Sequence, residues 1–535
     1  MKFSGMAKAA GMIAAFTILS KVLGFVREAS LAAVFGATRA SDAYLMGQTI
    51  PGVVFALVGA ALGTTFIPVY AQIRQERGRE GAHAMADSVI TATGLIALAV
   101  IAFGKAAAPW LTRLVAPGFR GEVYTLTVHL TRVLFPMVAF QGVSGLLVGM
   151  LQTEGDFLAP AAIGLLFNVL IITSTLVFGP RYGIGAVAVG TVAAALSQVL
   201  LQGPSLMRLG YRWRPRLDLR EPGLRRIAAL AVPVLVGTSV GQLNAVIDRM
   251  LASGLAEGSV AALNYANKLM QLVPSVLGTA IVTVMYPAFA KLSAAQEWDR
   301  YTASFAQAVK VINYVMVPVT AGMMVLSGPL VQLAFGRGAF GAGATSATSV
   351  ALLFYALSVP VLSLRDLASR AFYAFQDTMA PMATGMLAVG LNIVLNLALV
   401  GPMKHGGLAL ATSLAALFTT ALLLLALRGR LKAASGGRAG GIRGREIVGS
   451  LWRVTLAAIL MAGAVWAVYG LLQGWAPGSG VIAQSVRLFG AVGAGVLVYA
   501  GLTLALGVPE AWLALETGRS VVTKSWAKAK ALVAR

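Results

Sequence analysis

The chain has 535 residues, 58% of them hydrophobic and only 11% charged, with a mean hydropathy of +0.81. Apolar stretches of about 20 residues recur along nearly its whole length, which excludes an ordinary soluble domain and describes an all-α polytopic membrane protein. The net charge of +23 does not indicate nucleic acid, because the basic residues are spread through short loops, and the lack of cysteine excludes disulfides, thiolate metal sites and thiol nucleophiles.

The first apolar run, about 9–36, carries charges at its middle, in Ser20-Lys21-Val22-Leu23-Gly24-Phe25-Val26-Arg27-Glu28. At ~1.5 Å per residue the run exceeds the ~30 Å hydrocarbon core, so these charges lie near mid-depth. At about 100° per residue Ser20, Lys21, Gly24, Arg27 and Glu28 share one face, with Gly24 at its centre. An ionised group at the bilayer centre costs roughly 2.5–3.5 kcal/mol, so the face reads as the wall of a polar cavity. A buried structural ion pair that locks helices together is the alternative. Lys2 and Lys8 before an apolar run imitate a signal peptide, but the run is too long and too charged for an h-region and reads as a retained first span.

Thirteen further spans follow, at 42–71, 85–110, 122–151, 158–178, 184–207, 224–252, 259–289, 303–335, 345–375, 379–400, 406–428, 447–473 and 482–507. If about fourteen spans alternate, five basic groups fall on one side: Lys2 with Lys8; Arg74, Arg77 and Arg79; Arg208 to Arg226; Arg428 to Arg445; and Lys524 to Arg535. By the positive-inside rule both termini are then cytoplasmic. Gly59 to Pro68 aligns with Gly278 to Pro287, Asp156-Phe157-Leu158-Ala159-Pro160 with Asp377-Thr378-Met379-Ala380-Pro381, and Gly179-Pro180 with Gly401-Pro402. Three matches in one order at nearly one offset predict a repeat of six spans, an even number, hence two lobes that enter the membrane in the same sense. The expected organisation is an N-lobe at 1–208, a linker at 209–223, a C-lobe at 224–430, a basic loop at 431–446 and a helical hairpin at 447–507. Residues 508–535 read as an amphipathic tail on the anionic leaflet, with a solvated tail as the alternative.

Asp42 opens span 2, span 7 holds Asp248-Arg249, span 8 holds Lys268, and span 10 holds Arg365, Asp366 and Arg370 on one face. Asp366 and Arg370 stand four apart and can simply pair, and snorkelling near a membrane end would explain Arg249. Within the spans cations outnumber anions, which favours an anionic substrate, and arginine suits phosphate through its planar fork. His83, His129 and His405 lie far apart, so no metal site is expected. Neither a Walker A sequence nor a Ser/His/Asp arrangement is present, so no enzyme, catalytic residue or cofactor is predicted, a coupling ion or membrane potential apart.

The Ser20–Glu28 segment, Phe35-Gly36-Ala37, Asp42-Ala43, Phe66-Ile67-Pro68, Ala116-Pro117-Gly118-Phe119, Leu326 to Leu330 and Gly401-Pro402-Met403-Lys404-His405-Gly406-Gly407-Leu408 resemble the MurJ (MviN) lipid II flippases. The resemblance implies a fourteen-helix fold of the multidrug/oligosaccharidyl-lipid/polysaccharide exporter superfamily, with two six-helix lobes around a cationic cavity and a last hairpin that borders a lipid-tail groove. It implies a substrate, undecaprenyl-diphosphate disaccharide-pentapeptide, flipped outward across the bacterial cytoplasmic membrane, with membrane lipids and peptidoglycan synthesis proteins as partners. By position Ser20, Lys21, Arg27, Glu28, Asp42 and Lys268 match its cavity residues. Lys21 and Lys268 stand where arginine is common, and Phe55 stands where a third cavity arginine is expected; Arg365 or Arg370 would compensate, and both join the expected substrate-binding set. A flippase for another polyprenyl-diphosphate oligosaccharide would use the same cavity chemistry. An ion-coupled antiporter is disfavoured by the cationic surplus, and a non-transporting scaffold by charges at mid-depth.

Overall fold

Helix is the only regular structure among the described residues, 3–436, 441–478 and 480–516, of the computed structural model. A chain in hydrocarbon must satisfy its backbone internally, and helices do so within one segment. In order they are α1 (Phe3–Phe35), α2 (Arg39–Val115), α3 (Gly121–Leu134), α4 (Met137–Thr153), α5 (Leu158–Thr173), α6 (Gly179–Tyr182), α7 (Ile184–Arg208), α8 (Pro222–Ser253) and α9 (Ser259–Val273). Then come α10 (Thr279–Ala294), α11 (Trp298–Val325), α12 (Ser327–Phe335), α13 (Ala342–Ala356), α14 (Ser358–Ala374), α15 (Met379–Ala434), α16 (Gly444–Trp475) and α17 (Val481–Ala505). One-turn π segments, Ser174–Phe178 and Pro274–Gly278, join α5 to α6 and α9 to α10. Lys2 and the expected tail residues Lys524, Trp526 and Lys528 lie outside the described residues.

Nine described helical stretches are long and apolar enough to cross a membrane, and α13 with α14, bent by 41°, pass together as a tenth. Two of the nine are long enough to cross twice, and each breaks where the sequence places a loop: α2 at Gly78 (φ 70°) and α15 at Lys404 (φ 51°). Large apolar side chains such as Phe103, Trp466 and Leu497 are exposed, as a lipid-facing surface requires.

Contacts divide the chain into two units, Met1–Ala262 with Phe335–Ala344, and Leu263–Ala334 with Thr345–Arg535. This division places α8 in the first unit, because α8 packs along α2. In that unit α2 is the spine for α3, α4 and α8, while α1 lies on α5 and α5 on α7. One buried cluster joins Phe66, Tyr70, Met85, Leu146, Met150, Leu206 and Tyr211. Polar anchors border it. Arg74 binds Glu154 through two bonds, one of 2.7 Å, and Arg79 lies 3.3 Å from the same carboxylate. Burial pulls the Glu154 carboxyl up, but the Arg74 hydrogen bond and the two guanidiniums outweigh it and hold it below its ordinary value. Tyr211 donates to Asp87 at 2.7 Å, and burial, then that carboxylate, push its phenol up.

In the second unit α11 carries the last hairpin: Val454, Ala457, Met461 and Val465 of α16 pack with Leu488, Ala491 and Tyr499 of α17. Tyr499 donates to the Tyr314 carbonyl at 2.8 Å. The repeated Asp-x-x-Ala-Pro sequence performs one task in each unit. Asp156 accepts from the amides of Leu158 and Ala159, and Asp377 from those of Met379 and Ala380, at 3.0–3.4 Å. A short acceptor side chain thereby satisfies the orphan donors at the start of α5 and α15.

Candidate functional site

The polar face of α1 meets α5 at residues too small to hold the helices apart. A Cβ on Gly164 would lie 2.4 Å from the Ser20 hydroxyl, and one on Gly24 would touch Asn168 at 3.9 Å. Asn168 fills the space left at Gly24 and donates to the carbonyls of Ser20 (3.2 Å) and Gly164 (2.9 Å). Its Oδ1 accepts from Arg27 Nη1 at 3.2 Å, while Arg27 Nη2 holds Glu28 at 2.7 Å. The Phe167 ring lies 6.0 Å from the same guanidinium. Arg27 is thus fixed from three directions and still a quarter exposed, at 26% of its side chain. Val22 and Val26, on the opposite arc, are exposed.

Arg27 and Glu28 line a cavity of about 300 Å³ inside the first unit, with walls from α1, α2, α4, α5, α7 and α8. A second guanidinium enters from α8, where Arg249 Nη1 donates to the Thr49 hydroxyl at 2.7 Å. Tyr44, Gln48 and Thr191 form a chain of hydrogen bonds along one wall, at 2.6 and 2.7 Å, and Gln242 adds an amide. The lining therefore carries two guanidiniums, one carboxylate and five neutral polar side chains, which suits a polyanion more than a cation.

The other expected site residues are placed differently. Ser20 is half-buried beside Gly164, and Lys21 is exposed on α1. Asp42 is buried and turned toward backbone: its oxygens accept from the amides of Gly258 (2.7 Å) and Ala261 (2.8 Å), where α9 begins. The Arg39–Glu257 ion pair flanks this junction at 2.6 Å. Lys268, Arg365 and Arg370 belong to the second unit. Lys268 and Arg365 are exposed, with no ion pair among the described residues, while Arg370 lies 3.8 Å from Asp366 and 5.6 Å over the Tyr286 ring. Phe55 is half-buried, its ring folded back over Gly59.

The expected substrate-binding set left out Arg249, which the sequence showed only as a charge within span 7, and Asn168, which nothing in the sequence singled out. Its only mark is a single amide in a strongly apolar helix. Arg249 had a cheaper reading at a membrane end, and only the packing of α8 on α2 turns it toward Thr49.

A family model described as "Lipid II flippase MurJ" matches residues 31–485. The lipid II flippase MurJ of Burkholderia cenocepacia is 30% identical over 432 residues, covering 78% of this chain and 83% of that protein. The probable lipid II flippase MurJ of Vibrio cholerae is 28% identical over 514 residues, covering 93% and 95%. Among solved structures, a lipid II flippase MurJ in an inward closed conformation matches with a TM-score of 0.76 at 21% identity, covering 92% of this chain and 97% of that one. An inward-facing multidrug resistance MATE family transporter of the MOP superfamily matches with a TM-score of 0.66 at 17% identity, over 78% and 96%. At these identities the solved structures speak for the fold alone.

Proposed function

Because the chain belongs to the lipid II flippase MurJ family, we propose that it carries lipid II from the inner to the outer leaflet of the bacterial cytoplasmic membrane by alternating access, as a transporter and not an enzyme. The observation that carries the chemistry is the pair of guanidiniums, Arg27 and Arg249, that line one cavity with Glu28 as the lining carboxylate. A diphosphate cannot cross hydrocarbon unaided, since stripping its hydration is prohibitive. Two planar forks and the hydroxyls of Thr49, Tyr44 and Thr191 replace that hydration. Glu28 offsets one cation, so the site holds a diphosphate without trapping it. About 300 Å³ is at the lower end for a ligand pocket, enough for the diphosphate end of the substrate rather than its whole head.

In this reading Asn168 positions Arg27, and Asp42 acts on backbone rather than on substrate. Ser20, Lys21, Lys268, Arg365 and Arg370 supply further polar or cationic contacts. About fourteen crossings with both termini cytoplasmic follow from the alternation of basic groups. Peptidoglycan synthesis proteins are partners because they consume the flipped product.

The test is depletion and replacement in cells. Depletion should leave lipid II accumulated and inaccessible from outside, and Arg27→Ala should fail to restore accessibility at a normal membrane level of protein. Accumulation of a different polyprenyl-linked saccharide, or full activity of Arg27→Ala, would overturn the reading.

A further inference from the structure

The segment that joins α7 to α8 has no regular structure over residues 211–218, yet its sequence alternates without a break. Tyr211, Trp213, Pro215, Leu217 and Leu219 occupy the odd positions, and Arg212, Arg214, Arg216, Asp218 and Arg220 the even ones. In an extended chain such a period of two sends apolar and charged side chains to opposite sides. The structure fixes this strip rather than leaving it as slack. Tyr211 is buried, donates to Asp87 and meets the His83 ring edge-on at 5.1 Å. The Arg214 amide reaches the same Asp87 oxygen at 3.2 Å, Arg225 donates to the Leu219 carbonyl at 3.0 Å, and Arg77 pairs with Glu221 at 2.9 Å.

Between these anchors the apolar side chains are left outside. Trp213 is 54% exposed, Leu217 45% and Leu219 65%, and all four even-numbered arginines are exposed. In water this face would be a liability, but water is not the only neighbour. Trp213 stands five residues beyond Arg208, at the end of a helix long and apolar enough to cross a membrane. Five extended residues span at most about 18 Å, so the strip lies within reach of the headgroup layer. Met207, on the last turn of α7, is also exposed.

We propose that Arg212–Arg220 is a docking strip for the anionic phospholipids of the leaflet it borders. Trp213, Leu217 and Leu219 enter the interface and the arginines take headgroup phosphates. The indole suits the headgroup level, where an amphipathic ring is both wetted and buried. Four guanidiniums against one carboxylate supply the charge complementarity, and each basic residue near an anionic surface contributes about a fivefold preference for it. The strip thereby ties the connection between α7 and α8 to the leaflet.

The chain has no cysteine, so a single neutral, environment-sensitive fluorophore at Leu217→Cys reports on the strip in the full-length protein. The labelled protein is reconstituted in phosphatidylcholine vesicles, with and without phosphatidylglycerol, and quenched by acrylamide from water or by a nitroxide lipid from the interface. Phosphatidylglycerol should lower acrylamide quenching and raise nitroxide quenching. Combined Arg212→Gln, Arg214→Gln and Arg216→Gln should remove that response, on the order of 100-fold in apparent preference, with an unchanged melting curve because Tyr211 and Asp87 are intact. Glycerol phosphate added to phosphatidylcholine vesicles should not reproduce the protection, since a lipid surface and not a free phosphate is the partner. A label equally open to acrylamide in both vesicles would leave the strip in water and overturn the proposal. Equal protection in both, unmoved by the combined Arg212→Gln, Arg214→Gln and Arg216→Gln changes, would overturn its anionic half.

Discussion

Asp42 separates two accounts of this chain, because the sequence places it among substrate contacts and its geometry turns it toward backbone. In Asp42→Ala the buried amides of Gly258 and Ala261 lose their acceptors. A buried donor left without a partner costs about 1–3 kcal/mol, so the two together predict a loss of about 2–6 kcal/mol. Asp42→Asn keeps one carbonyl oxygen but turns an NH2 toward the second amide, so roughly half that loss, about 1–3 kcal/mol, is expected. Gly258→Ala strikes the same junction from the other side: at φ +82° its Cβ would lie 2.3 Å from the Ala37 carbonyl oxygen. Equilibrium unfolding in mixed micelles, followed by tryptophan fluorescence, should rank wild type above Asn and Asn above Ala, with Gly258→Ala also destabilised. Flipping should fall in step with the amount of folded protein. An Asp42→Ala protein within about 0.5 kcal/mol of wild type would refute the reasoning. So would a fully stable Asp42→Asn protein that does not flip, which would return the residue to the substrate.

Arg249→Gln should lower flipping strongly at normal protein level, and Arg249→Lys should recover part of it, since the charge returns without the fork; a lipid II accessibility assay reads both. Replacing Lys21 by Arg should be tolerated and by Gln costly in the same assay, if cationic charge at that position rather than its shape draws the substrate. Glu154, held below its ordinary value of 4.5, contributes stability that is fully present above that value and is lost as pH falls through the lower folded value. Unfolding measured against pH should therefore show an acid-side loss that Glu154→Gln abolishes. Single cysteines at Gly210 and Ser435 should be shielded from an impermeant thiol reagent in intact cells while those at Gly341 and Gly478 react; labelling of Ser435 from outside would sink the proposed orientation.

The helical architecture was legible because its signals are redundant: about 20 apolar residues per crossing, basic groups between crossings, and Gly-Pro pairs near the breaks. The Asp156 and Asp377 turns could be paired from sequence because a cap depends on residues two or three positions away. The face of α1 was legible for the same reason, since helical periodicity alone sets Arg27 and Glu28 beside Gly24. What surrounds Arg27 was not, because Asn168 lies 141 residues further along and no local pattern measures that separation. At Asp42 the expectation from sequence and the observed geometry part company. A buried carboxylate in a membrane helix has two resolutions, substrate or backbone, and the amides of Gly258 and Ala261 leave no mark on a hydropathy pattern. Arg249 hid behind a position that excused it.

The two sorts of carboxylate cap also differ in when they can form. Asp156 and Asp377 find their amides within three residues, so each turn can close as soon as it is made. Asp42 waits for amides 216 and 219 residues downstream. At roughly 5–20 residues per second of synthesis, that delay is on the order of 10 to 40 seconds. Throughout it a carboxylate destined for burial stands at the head of an apolar helix without its partners. During that interval Asp42 must stay in contact with water or carry a proton, and the end of α2 that bears it reaches its final bonding only after α9 arrives. The junction at Gly258 thus cannot close until nearly half of the 535 residues have been made.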